Sequence, residues 1–454
     1  MSSAIPRGIQ ESGIGQGSSP DFLAGARGIA SGKTRCEDKK YAGKADAVPN
    51  RFLNHERYIC SDRTLFHLSS KIAEPFCSVY EFFRYRLSSR LDPARFDHLP
   101  TVSQEIAYRT TRTFGAALAG AASYFYPLPA LGSLCLAFAS HVGLKRLAIA
   151  LQKEGFTHVL GKGPEKSLDP QDPKIKIGSI NLCGVSGGLS IDHGGVRHWR
   201  ERIDGLAKKI QSANLDILVL QEVYDTSLAE ALIQRLESDY AHFFYHTAPS
   251  LLGCSGGVMV LSKYPVHSFE DKVHPNNHWT LKRNFSTLEI KAKPNDEKPC
   301  VRIIGTHLHN GYKHKDREIR MNQIAEILAS LAKKSLPLPT VLVGDLNIER
   351  DQEEGKRLTA FLKHSHVGDA PTCTNELLKK WAPQTDCDWE ETIDYISLFK
   401  EVPFKGAPLP VLEKGGELEN ARFIELFDPT FDTKTALSDH HGLSALLKLS
   451  KLQV

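Results

Sequence analysis

The chain has 454 residues, 41% hydrophobic and 24% charged, with a net charge of only +4. That size leaves room for two or three domains, and that balance excludes the heavily basic signature of a nucleic-acid-coating protein. Its nine cysteines are odd in number and lack any C-x-x-C pair, which argues against a disulfide framework or a zinc site and for a reducing workplace.

Residues 1–50 are rich in Gly, Ser and Lys with little apolar periodicity, and are expected to be a disordered leader. The opening MSSAIPRGIQESGIGQGSSP has no apolar signal-peptide core, so a cleaved secretory signal is not expected. Such a Ser, Gly and Gln leader also suits export by a specialised apparatus. Residues 51–160 are expected to form a helical region. Short helices are expected between Arg51 and Arg112, where Phe66, Phe76, Tyr80, Phe82, Phe83 and Tyr85 recur. Residues 1–160 carry 20 Lys and Arg against 13 Asp and Glu, a net +7 that suits an anionic membrane surface or a solvated basic face.

Thr113 to Leu144 contains no Asp, Glu, Lys or Arg. Pro127 and Pro129 read as a turn between two apolar arms, so residues 113–151 are expected to form a hairpin. The first arm, Phe114–Tyr126, is too short for a bilayer core, which needs roughly 20 helical residues. Arg109 and Arg112 flank one end, and Lys145 and Arg146 lie toward the other. The hairpin would dip into a membrane and return to the same face, or form a buried pair in a soluble domain.

Residues 161–174, GKGPEKSLDPQDPK, read as a linker before a domain spanning 175–454. Beyond residue 160 the balance is 37 basic against 40 acidic residues, or −3, which disfavours a nuclease that grips a duplex. Val196, Trp199, Ile203, Leu206 and Ile210 step by three and four, which predicts a helix leading into a strand at Ile217–Leu220. Ile324, Ile327, Leu328 and Leu331 predict another before a strand at Thr340–Val343. Extra strands are expected around Val258–Leu261 and Ser286–Ile290. Strands alternating with helices indicate a layered α/β domain.

Polar residues then recur at the ends of these apolar strands. Asn181 follows one and Glu222 another, where a charge is expensive without a partner. Together they could hold Mg²⁺, which needs few protein ligands. Asp345 and Asn347 in GDLN would share one face of an extended segment, or form an Asx turn. His307 and His440 titrate near neutrality. Neighbours on a strand face opposite ways, so Asp394 in TIDYI is the better partner for His440, leaving Asp439 for the cation.

The ordered series Asn181, LQEV, S-K-Y-P, T-H-L-H, GDLN, IDYI and SDH resembles the endonuclease/exonuclease/phosphatase superfamily of Mg²⁺-dependent phosphoesterases, from about Lys174 to Leu449. Within it, SGGVMVLSKYPV, GTHLHNGY followed by Arg320-x-x-Gln323, and LSDHHGL are similar to neutral sphingomyelinases. The resemblance implies a four-layer α/β sandwich, two mixed sheets between helices. It implies Asn181, Glu222 and Asp439 at a Mg²⁺ ion, with Mn²⁺ as a substitute. It also implies a catalytic set of His307, Asp345, Asn347, Asp394 and His440. Lys282, with His307 and Asn347, would hold the phosphate. The implied activity is hydrolysis of sphingomyelin or a related phospholipid by water at the membrane. A nuclease of the same fold is the alternative, then a phosphoinositide phosphatase, then a membrane-bound interaction protein with a relic catalytic domain. The sequence departs from neutral sphingomyelinases at Asn181-Leu182-Cys183, where N-x-W is usual, and at Arg283, where Gly follows the lysine. It also departs where an acid is expected, a place taken by Asn277 or His278. The segment between Asp394 and Asp439 is long enough for a lid or a membrane-contacting loop.

Overall fold

A computed structural model describes residues 62–81, 124, 127–152, 154–185, 196, 198–250, 255–275, 282–334, 337–364, 370–374, 390–400, 416–426 and 436–450. The helices among them are α1 (Asp62–Glu81), α2 (Pro127–Leu151), α3 (Trp199–Ala213), α4 (Thr226–Leu236), α5 (His314–Ala332) and α6 (Glu353–Leu358). The strands are β1 (Thr157–Leu160), β2 (Lys174–Asn181), β3 (Ile217–Gln221), β4 (His242–Tyr245), β5 (Met259–Ser262), β6 (Val266–Val273), β7 (Asn284–Ile290) and β8 (Val301–His307). They continue as β9 (Thr340–Asp345), β10 (Leu362–His364), β11 (Cys373–Thr374), β12 (Glu390–Glu391), β13 (Asp394–Phe399), β14 (Gly416–Ile424) and β15 (Gly442–Leu449).

Two large mixed sheets organise the molecule. One runs β1-β4-β5-β3-β2-β15-β14 and the other β10-β13-β9-β8-β7-β6. Each contains a parallel pair, β2 with β3 and β8 with β9, and its other pairings are antiparallel. α3 lies between the first pair in the chain and α5 between the second, the crossover that parallel strands require. The apolar run Ile217–Leu220 shows why β3 is central. Ile217 and Val219 enter the core shared by the two sheets, with Ile303, Val341 and Ile396. Leu218 and Leu220 face the other way, into a core with Leu206 and Ile210 of α3 and Leu232 of α4. A strand buried on both faces needs this unbroken apolar sequence. Truncating a leucine such as Leu218, which has no exposed surface, would cost roughly 2–5 kcal/mol.

The register carries the polar strand ends to one place. Asn181 pairs with Gln221 at the end of β2–β3, and His307 pairs with Asp345 at the end of β8–β9. Asp394 starts β13, antiparallel to β9, and also pairs with Asp345. Gly344 is required between them. Its φ is +148°, and a Cβ there would lie 1.9 Å from the Thr306 carbonyl oxygen. The S-K-Y-P sequence sits at the opposite end: Ser262 pairs with Ile217, the first residue of β3, and Lys263 Nζ donates to Asn214 Oδ1 at 2.7 Å. Its role is to carry the chain from one sheet to the other.

Several expectations need amendment. β1 pairs with β4, so the first sheet begins before the 161–174 linker, and Leu168 within the linker is buried in the inter-sheet core. In place of short helices, α1 is a single helix of 20 residues; residues 82–112 lie outside the described residues, as does the 1–50 leader. Pro127 and Pro129 do not make a turn; they open α2, a continuous helix of 25 residues, where proline's missing N–H is harmless. The first hairpin arm lies outside the described residues apart from Tyr124. Of the segment between Asp394 and Asp439, β13 runs to Phe399 and β14 is a sheet strand paired to β15; residues 401–415 and 427–435, like Asn277 and His278, lie outside the described residues.

α1 ties the N-terminal region to the sandwich. Arg63 donates to Glu230 of α4 at 2.7 Å, and Glu230 also accepts the Tyr245 hydroxyl at 2.5 Å. Thr157 Oγ1 of β1 donates to Asp62 at 2.7 Å. Leu65 and Phe66 pack on Ala148 of α2, and Ser69 Oγ lies 2.9 Å from His141 Nδ1. The other half of α2 is bare: Leu131, Leu134, Leu136 and Phe138 are 57%, 48%, 70% and 60% exposed. This half of α2 is not buried among the described residues. α2 is long and apolar enough, over Leu131–Leu151, to cross a membrane.

Candidate active site

Asp345 is the hub. Its Oδ2 accepts Asn181 Nδ2 at 3.0 Å, lies 3.5 Å from His307 Nε2 and 4.0 Å from His440 Nε2. Its Oδ1 accepts the Asn347 backbone N–H at 2.8 Å. Asn347 has φ +51°, so the segment closes as an Asx turn and is not extended. Its carboxamide N–H donates to the Leu308 carbonyl at 3.2 Å, which links the GDLN turn to the loop after His307.

His440 Nδ1 lies 2.8 Å from Asp394 Oδ2, the pairing expected from strand alternation, while Asp439 Oδ1 is 4.0 Å from its Nε2. Ser438 helps to seat this turn: its hydroxyl donates to the Asn181 carbonyl at 2.7 Å and accepts the His440 N–H at 3.3 Å. Asp394 takes N–H···O support from a different direction, since its own N–H donates to Thr372 Oγ1 at 3.1 Å. Its second carboxylate oxygen is buried without a hydrogen-bond partner.

The electrostatics separate the two histidines. Burial works against the His440 cation, yet Asp394 and Asp439 hold its pKa well above the usual imidazole range. Cys373 faces the same ring, but burial pushes its thiol up to about 12, so it is uncharged at neutral pH. His307 goes the other way: burial first, then the Arg283 guanidinium and His440, push it well below its ordinary value. Two imidazoles a short distance apart thus favour opposite protonation states, the pattern expected of an acid–base site.

The carboxylates are crowded. Burial and then Asp439 raise Glu222 to about 7, and burial and then Asp394 raise Asp345 to about 6. Asp345, Asp394 and His440 offer ligand atoms all within 4.8 Å of one another, a group that could hold a metal ion. Asn181 turns its carboxamide oxygen toward the Cys183 N–H at 2.9 Å, which leaves that oxygen one more lone pair. The mutually repelling Glu222 and Asp439 fit a hard divalent cation, whose charge would relieve that repulsion. Cys183 and Glu222 have φ of +49° and +61°. Non-glycine residues held there cost about 1–3 kcal/mol each, and such strain concentrates at functional sites.

The contact of Arg283 with His307 was not anticipated. Arg283, only 4% exposed, donates from Nη1 to His307 Nδ1 at 2.7 Å and to the Tyr224 hydroxyl at 3.1 Å. Lys282 beside it donates to the Pro249 carbonyl at 3.1 Å. The cation that touches the histidine is therefore Arg283. The same strand-end reasoning that singled out Glu222 identifies it, because β7 is antiparallel to β8 and begins where β8 ends. The Arg320-x-x-Gln323 pair braces the loop after His307. Gln323 accepts the His309 N–H at 2.9 Å, and Arg320 joins Glu354 at 2.8 Å to the Gly311 carbonyl at 2.6 Å.

A family model described as "Endonuclease/Exonuclease/phosphatase family" matches residues 178–440. Sphingomyelinase C of Listeria ivanovii is 27% identical over 276 residues, covering 56% of this chain and 76% of that protein. Sphingomyelin phosphodiesterase 3 of Homo sapiens is 26% identical over 219 residues, covering 42% of this chain; the match spans only 33% of the human protein. Among solved structures, beta toxin 275-280 from Staphylococcus aureus aligns with a TM-score of 0.46 at 20% identity, over 60% of this chain and 99% of that one.

Proposed function

This chain belongs to the endonuclease/exonuclease/phosphatase family, and from that premise we propose that it is a Mg²⁺-dependent phosphodiesterase of sphingomyelin or a related phospholipid. It would release ceramide or diglyceride and a phosphorylated headgroup. The observation that carries the reading is the meeting of His307 and His440 at one oxygen of Asp345, with Asp394 on the far side of His440. Such a pocket can orient a water and a phosphoryl oxygen together.

Asn181, Glu222 and Asp439 would hold the cation, for which Mn²⁺ can substitute. When bound, the ion lowers the pKa of water and offsets charge developing on phosphorus. Asp394 fixes the ring of His440, which takes or returns a proton at Nε2. Asp345 and Asn347 set the position of the water and the phosphate. His307 supplies a hydrogen bond to a phosphoryl oxygen, with Lys282 as a further cation near the phosphate.

The lipid part of the reading is supported by α2, whose exposed leucines and Phe138 precede the sandwich. A helix of that kind would keep the enzyme at a bilayer and raise the local substrate concentration. The named sphingomyelinases among the relatives point the same way. The test is the full chain with Mg²⁺ on sphingomyelin vesicles, plasmid DNA and phosphoinositide vesicles. Phosphocholine release with intact DNA is expected. DNA nicking without phosphocholine release would replace the lipid reading with the nuclease one.

A further inference from the structure

Arg283 stands just before β7 at the edge of the site, and it is held on every side. Its carbonyl accepts the His274 N–H at 3.0 Å. The next residue, Asn284, donates to half-buried Asp271 at 2.5 Å, and its carbonyl accepts Thr306 Oγ1 at 2.9 Å. Tyr224, which accepts from the guanidinium, lies against Gly257; a Cβ at that glycine would sit 2.5 Å from the tyrosine ring. Gly257 of SGGVMVL therefore makes room for the tyrosine that steadies Arg283.

We infer that Arg283 is a positioning residue that locks His307 in the form protonated at Nε2, making it a fixed hydrogen-bond donor and not a proton carrier. The inference rests on the reading of this pocket as a phosphodiester site. A guanidinium has five N–H donors and no acceptor, and it keeps its charge throughout the working range. Its 2.7 Å contact with His307 Nδ1 forms only when that nitrogen presents a lone pair. The single hydrogen of the neutral ring must then sit on Nε2, which faces Asp345 Oδ2. A proton on Nδ1 would set N–H against N–H. His307 can therefore donate to a phosphoryl oxygen in every turnover without first acquiring a proton. Proton transfer falls to His440, which Asp394 leaves free to exchange at Nε2.

The test uses the full chain labelled with ¹⁵N-histidine, with the His307 ring signals identified by their loss in His307→Gln. Long-range ¹H–¹⁵N correlation spectra of the wild type should show the neutral, Nε2-protonated pattern, unchanged from about pH 5 to 8, where free imidazole titrates. Arg283→Met removes the donor at similar length; the locked pattern should give way to a mixture of ring forms. Its kcat should fall about 10²-fold, as for loss of one oriented donor, with KM little changed. Arg283→Lys, which restores a charge and a donor but not the planar fork that reaches His307 and Tyr224 together, should recover part of both. A wild-type ring protonated at Nδ1 would overturn the inference, as would an Arg283→Met spectrum identical to wild type. If the wild type shows the locked pattern yet cleaves no phosphodiester, the positioning role stands and the catalytic reading falls.

Discussion

Asp394→Asn removes a charge and leaves the geometry, because the carboxamide oxygen can still accept from His440 Nδ1. The pair is buried and 2.8 Å apart. A hydrogen bond to an ionised partner contributes roughly 1.5–3 kcal/mol, equivalent to about one to two pH units in the His440 titration. Because Asp394 and Asp439 raise His440, the native state holds a proton that the unfolded chain releases. The stability from this pairing is complete below the unfolded value of about 6.5 and is lost as pH rises through the folded value. In Asp394→Asn, burial regains the upper hand, the His440 midpoint drops, and that pH-dependent stability shrinks. The turnover number should fall roughly 10- to 150-fold at neutral pH, at about 1.4 kcal/mol per decade. NMR titration of His440, thermal unfolding across the pH range and headgroup release would be measured on the same preparations. An unchanged His440 midpoint with activity within about twofold of wild type would refute the reasoning.

Three further outcomes are expected. Glu222 is raised from 4.5 to about 7 by burial and then Asp439, so the cation-free protein should lose stability as pH climbs through that interval. Glu222→Gln should therefore melt higher than wild type at pH 8 in chelator, by the equivalent of roughly 1–3 kcal/mol, while losing cation-dependent activity; a lower melting temperature there would contradict this. Leu136→Glu with Phe138→Glu, at positions 70% and 60% exposed, should leave the fold intact and weaken sedimentation with anionic vesicles. Unchanged vesicle binding would remove α2 from the membrane account. Gly344→Ala should prevent stable folding or cost roughly 3 kcal/mol or more, because the methyl meets the Thr306 carbonyl at a φ only glycine accepts readily; wild-type thermal stability would show that the backbone yields there.

What the sequence made legible follows from period and pattern. Strands β3, β8 and β9 were readable because each is an apolar run with a polar terminus, and the crossover helices because their buried residues step by three and four. The Asp394–His440 pair was reachable from alternation alone. The GDLN turn was harder: two residues apart in sequence suggests one face of a strand, but the Asp345 carboxylate captures the Asn347 N–H and the chain bends. Arg283 was missed because strand ends were sought only where strands finish, whereas an antiparallel neighbour brings its first residue to the same edge. The docking of α1 was illegible for another reason. Arg63 and Glu230 stand 167 residues apart, and neither is unusual where it occurs. β1 is four residues long, too short for alternation to register before a linker rich in Pro and Gly.

The central claim is that His440, oriented by Asp394 beside a cation held by acids, drives phosphodiester hydrolysis. Its most direct test is phosphocholine release from sphingomyelin vesicles by wild type and His440→Ala, each with Mg²⁺ and with chelator. The account predicts release by the wild type with Mg²⁺, loss on chelation, and a drop of at least about 10²-fold in His440→Ala. Undiminished release by His440→Ala, or equal release in chelator, would contradict it.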